Sequence, residues 1–175
     1  TCFSCSIRCK REVRVAGRHA VNSAYGGPEY ETLDGFGGNC GIDDLQAIAK
    51  ANELCNRYVI DTISTSATIA FAMECFERGL IGPADTGGIE LRFGNVDAML
   101  RTIDLIGRRE GFGALLAEGS RRAAEAIGGD APHYAMHVKG EELPMHDPRG
   151  KVSVGLGYAI GETGDHAEIV RDPDD

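Results

Sequence analysis

The chain has 175 residues, of which 42% are hydrophobic and 26% are charged. This length and composition fit one ordinary domain, or one domain and part of another, with enough apolar residues for a packed core. The formal net charge of -9 at pH 7 disfavours nonspecific binding to nucleic acid or to anionic membranes. No run approaches the roughly 20 apolar residues of a membrane span, and no signal peptide is evident, so we expect a cytoplasmic location.

Three cysteines lie at the start of the chain, in "TCFSCSIRCKRE". Thiolates at this spacing are typical of zinc sites or iron–sulfur clusters, and either metal centre normally takes four protein ligands. Cys2, Cys5 and Cys9 supply three of them. A zinc site could take His19 or Cys40 as its fourth ligand, whereas a cubane cluster would need a cysteine from farther along the chain.

The segment from residue 15 to 44 is rich in glycine but contains apolar and aromatic residues, so we predict ordered loop with short turns. Within it, "GGPEYETL" places Glu29 and Glu31 two residues apart. In extended backbone such residues point the same way, and one of them facing a dry site could act as a general base. The alternative is that both are solvated loop residues.

Apolar residues at helical spacing then predict four helices. The first covers "DDLQAIAKANELCNRYV", with Asp43 as its N-cap, and the second covers "DTISTSATIAFAMECFERGL". The third, "NVDAMLRTIDLIGRREG", has Asn95 as its cap, and the fourth, "GFGALLAEGSRRAAEAIGG", is broken less cleanly by its glycines. Cys55 and Cys75 fall inside these patterns, where a free cysteine behaves as a small hydrophobe.

Beyond Gly129 the helical pattern fades. "HYAMHVKGEELPMHDPRGK" favours loop or short strand, and "VSVGLGYAIGETGDHAEIV" could open a further helix. Four histidines lie in this part: His133, His137, His146 and His166. The first two, at i and i+4, would form a metal-binding pair on a helix or would simply pack. His166 lies in a glycine-containing turn, which suits a catalytic histidine. The whole pattern predicts a mainly α, multihelical fold with ordered glycine-rich loops.

Several long stretches together resemble one known family, the tungsten-containing aldehyde:ferredoxin oxidoreductases. They run in family order: "CFSCSIRCKR", "GGPEYETLDGFGGNCGIDDLQAIAKANELCN", "IDTISTSATIAFAMECFERGLI", "EGFGALLAEGSRRAAE", "YAMHVKGEELPMHDPRG" and "GLGYAI". The resemblance implies the fold of the family's C-terminal helical domains. Residues 1–130 would form a helical domain that binds the cluster and a pterin, and residues 131–175 would begin the last, truncated helical domain.

The resemblance also implies cofactors and partners. Family members bind tungsten between two pterin dithiolenes, with a [4Fe-4S] cluster close by. They oxidise aldehydes to carboxylic acids and pass electrons singly to ferredoxin. For this chain we therefore expect a tungsten or molybdenum bis-pterin, with magnesium bridging the pterins as a further candidate, and a [4Fe-4S] cluster. The expected partners are a small aldehyde and ferredoxin, and a homo-oligomer is a candidate assembly.

Cys2, Cys5 and Cys9 match three of the four cluster ligands, and the fourth lies in a later Asp-x-x-Gly-Leu-Cys segment that this sequence does not reach. A pterin-contacting Asp-x-x-Gly-Leu-Asp segment falls on "NRYVID". Its final residue matches as Asp61. Asn56 replaces the first aspartate, and so offers an amide rather than a carboxylate.

The family's active-site glutamate falls on Glu31, with Glu29 as the alternative, and its active-site histidine falls on His166. In the implied reaction His166 donates a hydrogen bond to the aldehyde oxygen, and Glu31 accepts a proton.

We expect the sequence to be the middle of a larger enzyme, inactive by itself. Two alternatives remain: a small zinc-binding interaction module, and a family member with a different redox substrate, such as an aromatic thioester.

Overall fold

The computed structural model describes Ser6 and residues 11–161. Within these residues the fold is mainly α, as the sequence predicted, with one small antiparallel sheet. The elements are α1 (Tyr30–Asp34), α2 (Leu45–Tyr58), α3 (Thr62–Glu77), α4 (Val96–Arg108), α5 (Phe112–Leu116), α6 (Ser120–Ile127), β1 (His137–Val138), β2 (Glu141–Glu142) and α7 (Val152–Ile160).

Helix α3 lies at the centre of the fold. Ten of its residues are buried, from Thr65 to Phe76, so most faces of the helix meet protein. A helix that is apolar on most of its faces is stable only inside a core. Its fully buried Ile69 and Met73 belong to the same core cluster as Met99 and Ile103 of α4.

The long helices begin where the sequence places capping residues. The Asn95 side chain accepts a hydrogen bond from the Ala98 amide at 3.1 Å, which confirms the predicted cap of α4. For α2 the predicted cap, Asp43, is wrong by one residue. Asp44 caps the helix, and its Oδ1 accepts from the amides of Gln46 and Ala47. The two aspartates are adjacent, and the last non-helical residue is the one whose side chain reaches those amides.

Helices α2 and α3 are joined by a sharp turn. Val59 ends α2 in the left-handed conformation, with φ 56° and ψ 45°. The next amide, that of Ile60, donates back to the Cys55 carbonyl at 3.0 Å. Asp61 then caps α3, since its Oδ2 accepts from the Ser64 amide at 2.6 Å.

Among the described residues no single helix has the length and apolar content to cross a membrane. One pair of helices, α2 with α3, has enough length and apolar content when the two are taken together, but the pair is bent by 117°.

The glycine-rich segment is more regular than predicted. It contains α1 and a π-helical turn, Gly35–Asn39, in which Phe36 is fully buried. Gly35 lies so close to α3 that a Cβ there would be 2.2 Å from the Ser66 hydroxyl oxygen. This glycine therefore allows two helical segments to touch, which composition alone does not distinguish from a loop.

The later part of the chain differs from prediction at two places. The stretch predicted as one interrupted helix forms two, α5 and α6. His133 and His137 do not share a helix, because His133 ends a 3-10 turn and His137 lies in β1, where its Nδ1 accepts from the Gly140 amide. The alternative of a metal-binding pair on a helix is therefore excluded for these two histidines. The predicted domain boundary near residue 130 stays a prediction.

Candidate active site

Several predicted site residues lie outside the described residues. These are Cys2, Cys5 and Cys9, the predicted cluster ligands, and His166, the predicted catalytic histidine. Their assignments stay predictions.

Glu31 is the best-enclosed of the predicted catalytic residues that the structure describes. Its side chain lies on α1 and is 18% exposed. One carboxylate oxygen, Oε2, accepts a hydrogen bond from the Met145 amide at 2.7 Å. The other, Oε1, is buried and lies 2.9 Å from Nε2 of His146. This is an ion-pair distance, and Oε1 has no hydrogen-bond partner among the residues that the structure describes. The alternative residue, Glu29, is exposed at the start of α1.

Two tyrosines surround this carboxylate. The Tyr30 ring stacks on the His146 ring with centroids 5.5 Å apart, and its hydroxyl donates to the Met145 carbonyl at 2.8 Å. The Tyr158 hydroxyl donates to the His146 carbonyl at 3.1 Å. Burial, and then the carboxylates of Glu31 and Asp147, raise the pKa of Tyr158 above its usual value. Tyr158 therefore stays a neutral hydrogen-bond donor at physiological pH.

A hydrogen bond connects the neighbourhood of Glu31 to that of Asp61. The hydroxyls of Thr32 and Thr62 lie 2.9 Å apart. Thr32 follows Glu31 on α1, and Thr62 follows Asp61 at the first turn of α3. The bond thus joins the residue that follows the predicted catalytic glutamate to the residue that follows the predicted pterin-binding aspartate.

Asp61 also lines a cavity of about 490 Å³ between α3, α4 and the loop before α6. Much of its wall is polar: Asp61, Ser64, Thr68, Arg109, Glu118 and Glu142. Glu142 is 8% exposed, and its Oε1 accepts from the Ser120 amide at 2.6 Å and the Ser120 hydroxyl at 2.7 Å. These bonds hold a buried carboxylate in place at the edge of the cavity, where it can meet the donors of a ligand.

Asn56, the other predicted pterin contact, is on the last turn of α2. Its side chain is exposed, and its amide nitrogen donates to the Asn52 carbonyl at 2.8 Å. Asn56 does not line the cavity, whereas its neighbours Tyr58 and Ile60 do. Its contact with a pterin stays a prediction.

The residues considered for a zinc site do not favour that alternative. Cys40 is fully buried, its thiol contacts the Ser66 carbonyl, and burial raises its pKa to about 12. A thiol in this environment is not the thiolate that zinc binds. His19 is also buried, with Nε2 3.7 Å from Oδ2 of Asp44. Between residues 11 and 161 no three His, Cys, Asp or Glu residues form a group that could hold a metal ion.

Sequence reasoning gave no role to several residues at this site. His146, Tyr30 and Tyr158 surround Glu31, and Glu142 lines the cavity. The contacts that Glu31 and Tyr30 make here join segments more than a hundred residues apart, such as the bond between the Glu31 side chain and the Met145 amide. No local pattern encodes such a contact.

Comparison with known proteins places the chain in a family. The family described as aldehyde ferredoxin oxidoreductase, domains 2 and 3, matches residues 1–172. The tungsten-containing aldehyde ferredoxin oxidoreductase of Pyrococcus abyssi is 45% identical over 166 residues, which are 93% of this chain and 26% of that protein. The enzyme of the same name from Thermococcus kodakarensis is 40% identical over 164 residues, again 93% of this chain and 26% of that protein.

More distant relatives have other names. The WOR-like subunit of an aliphatic sulfonate oxidoreductase from Pyrococcus furiosus is 31% identical over 178 residues, 98% of this chain and 28% of that protein. A solved structure, the active-site complex BamBC of benzoyl coenzyme A reductase with 1,5-dienoyl-CoA, matches with a TM-score of 0.72 and 26% identity, over 94% of this chain and 24% of that one. The chain spans about a quarter of the length of the relatives it matches. With the family match over nearly all of its residues, the chain belongs to the aldehyde ferredoxin oxidoreductase family.

Proposed function

We propose that the full-length protein containing this chain is a tungsten-pterin oxidoreductase that oxidises an aldehyde to a carboxylic acid. The observation that carries this proposal is the bond between Thr32 and Thr62, which sets Glu31 beside the start of the helix that lines the polar cavity. The relatives named as tungsten-containing support the metal.

The polar side chains that line the cavity suit a pterin. A pterin ring system presents N–H groups, which carboxylates bind by charge-assisted hydrogen bonds. Asp61 and Glu142 offer carboxylates, and Ser64 and Thr68 offer hydroxyls, in the wall of the same cavity. These four residues would hold the group, and when bound it supplies the redox centre that takes two electrons from the substrate. Arg109, also in the wall, would meet its anionic part.

Glu31 serves as the general base. Conversion of an aldehyde and water to a carboxylic acid releases two electrons and two protons. Glu31 accepts one proton from the attacking water, and the shielding of its side chain from solvent, which leaves it 18% exposed, supports this role. One positioned base contributes about 10²–10⁴ in rate. His166 would donate a hydrogen bond to the aldehyde oxygen.

The electrons leave toward a one-electron acceptor. We assign Cys2, Cys5 and Cys9 as three ligands of a [4Fe-4S] cluster, ferredoxin as the acceptor, and the cytoplasm as the location. Because the chain spans only about a quarter of its relatives, we propose that these 175 residues alone do not turn over substrate.

The comparisons favour an aldehyde over the other redox substrates. Identity is 45% to an enzyme named for aldehydes, 31% to a subunit named for aliphatic sulfonates, and 26% to a complex named for benzoyl coenzyme A.

The test is Glu31→Gln in the full-length protein, with Glu29→Gln as the matched control because Glu29 is exposed on the same turn. We expect Glu31→Gln to lower aldehyde turnover by about 10² or more while tungsten content stays constant. Glu29→Gln should leave both unchanged. Full turnover by the Glu31 variant would reject the assignment.

A further inference from the structure

We infer that His146 is a positioning residue for the proposed base, and that its imidazole fixes the direction of the Glu31 carboxylate. This inference rests on the proposed function, since it assigns a partner to the residue that we propose as the base. It starts from the distance of 2.9 Å between Nε2 of His146 and Oε1 of Glu31.

The two oxygens of Glu31 are restrained by neighbouring residues of one segment. The Met145 amide donates to Oε2, and the His146 ring lies against Oε1. A carboxylate with one anchored oxygen can still turn about that anchor. A second contact on the other oxygen removes this freedom and leaves one orientation, which a proton transfer requires.

The imidazole is itself held in place. The Tyr30 ring stacks on it, with an interplanar angle of 29°. Because Tyr30 and Glu31 are adjacent on α1, one short helix supplies both the carboxylate and the ring that orients its partner. The His146 side chain is 34% exposed, so the pair lies at the edge of the protein interior, where water can reach the imidazole but reaches the carboxylate much less.

Two tyrosine hydroxyls hold the backbone around His146 independently of its ring. The Tyr30 hydroxyl binds the carbonyl of Met145, and the Tyr158 hydroxyl binds the carbonyl of His146. Both acceptors are backbone atoms and remain when the imidazole is removed. A change of side chain at residue 146 therefore acts on the Glu31 carboxylate more than on the path of the backbone.

Two charged residues follow His146 closely in the sequence. Asp147, the next residue, pairs with Arg149 at 2.5 Å. Besides Glu31, the titratable side chains of Tyr30 on α1 and Tyr158 on α7 contact this segment. The Glu31 carboxylate lies at ion-pair distance from the His146 imidazole.

The kinetic test uses His146→Ala and His146→Gln in the full-length protein. A less well oriented base slows the chemical step, so His146→Ala should lower kcat by about 10-fold to 100-fold with KM unchanged. His146→Gln keeps an N–H donor and should recover part of the loss. When Glu31 is already Gln, His146→Ala should cause no further loss. An equal loss in both backgrounds would overturn the inference.

A spectroscopic test does not depend on turnover. In full-length protein labelled with ¹⁵N-histidine, the His146 ring signals are identified by their absence in His146→Gln. Glu31→Gln should move the Nε2 resonance, and Glu29→Gln should leave it in place. An unmoved resonance in both variants would overturn the inference. If Glu31→Gln moves the resonance but leaves turnover intact, the contact stands and the proposed function fails.

Discussion

Replacing Val59 by glycine should stabilise the turn between α2 and α3. Val59 adopts φ 56° and ψ 45°, a left-handed conformation that costs a residue other than glycine about 1–2 kcal/mol. The side chain is 90% exposed, so its removal sacrifices almost no buried apolar surface. Against this gain, glycine increases the conformational entropy of the unfolded chain, which lowers the free energy of unfolding by about 0.4–1 kcal/mol. The net gain is about 1 kcal/mol.

The assay is hydrogen exchange of the Ile60 amide, which donates to the Cys55 carbonyl and closes this turn. A gain of about 1 kcal/mol slows exchange through local opening about fivefold. Val59→Ala is the matched control, since it removes the β-branch but keeps a Cβ in the left-handed conformation, so it should gain less than Val59→Gly. Exchange in Val59→Gly as fast as in the native sequence would refute the reasoning.

Two further substitutions test the packing and the cavity. Gly107→Ala should destabilise the protein by about 1–3 kcal/mol, although alanine ordinarily favours a helix, because the new Cβ would lie 2.2 Å from the Tyr58 ring. A higher melting temperature would contradict this. Asp61→Asn keeps an oxygen that can accept from the Ser64 amide, so the melting temperature should hold while the pterin content of the full-length protein falls. Unchanged pterin content would remove Asp61 from the proposed binding set.

The helices could be predicted from sequence where local rules dominate. In α2, α3 and α4 apolar residues recur at helical spacing, and a side chain with an oxygen acceptor stands just before each one. The predicted N-cap of α2 was one residue too early, because two adjacent aspartates, Asp43 and Asp44, look equivalent in the sequence and only the backbone conformation decides between them. At residues 30–39 the prediction failed, because glycines that allow close packing have the same composition as glycines in a loop.

The candidate site was predictable only in part. Glu31 and Asp61 came from stretches that resemble the family, and the structure adds the bond that brings their neighbours together. His146 could not be assigned a role in advance, because its contact with Glu31 spans 115 positions and depends on how α1 packs against the segment before α7. Such contacts follow from the tertiary fold, and the spacing of residues along the chain does not predict them.

Anomalous diffraction at the tungsten absorption edge, on crystals of the full-length protein, tests the central claim most directly. The account predicts one strong peak near the Glu31 carboxylate, with pterin density extending into the cavity that Asp61 and Glu142 line. A peak remote from Glu31, or a cavity that stays free of pterin while tungsten is bound elsewhere, would contradict it.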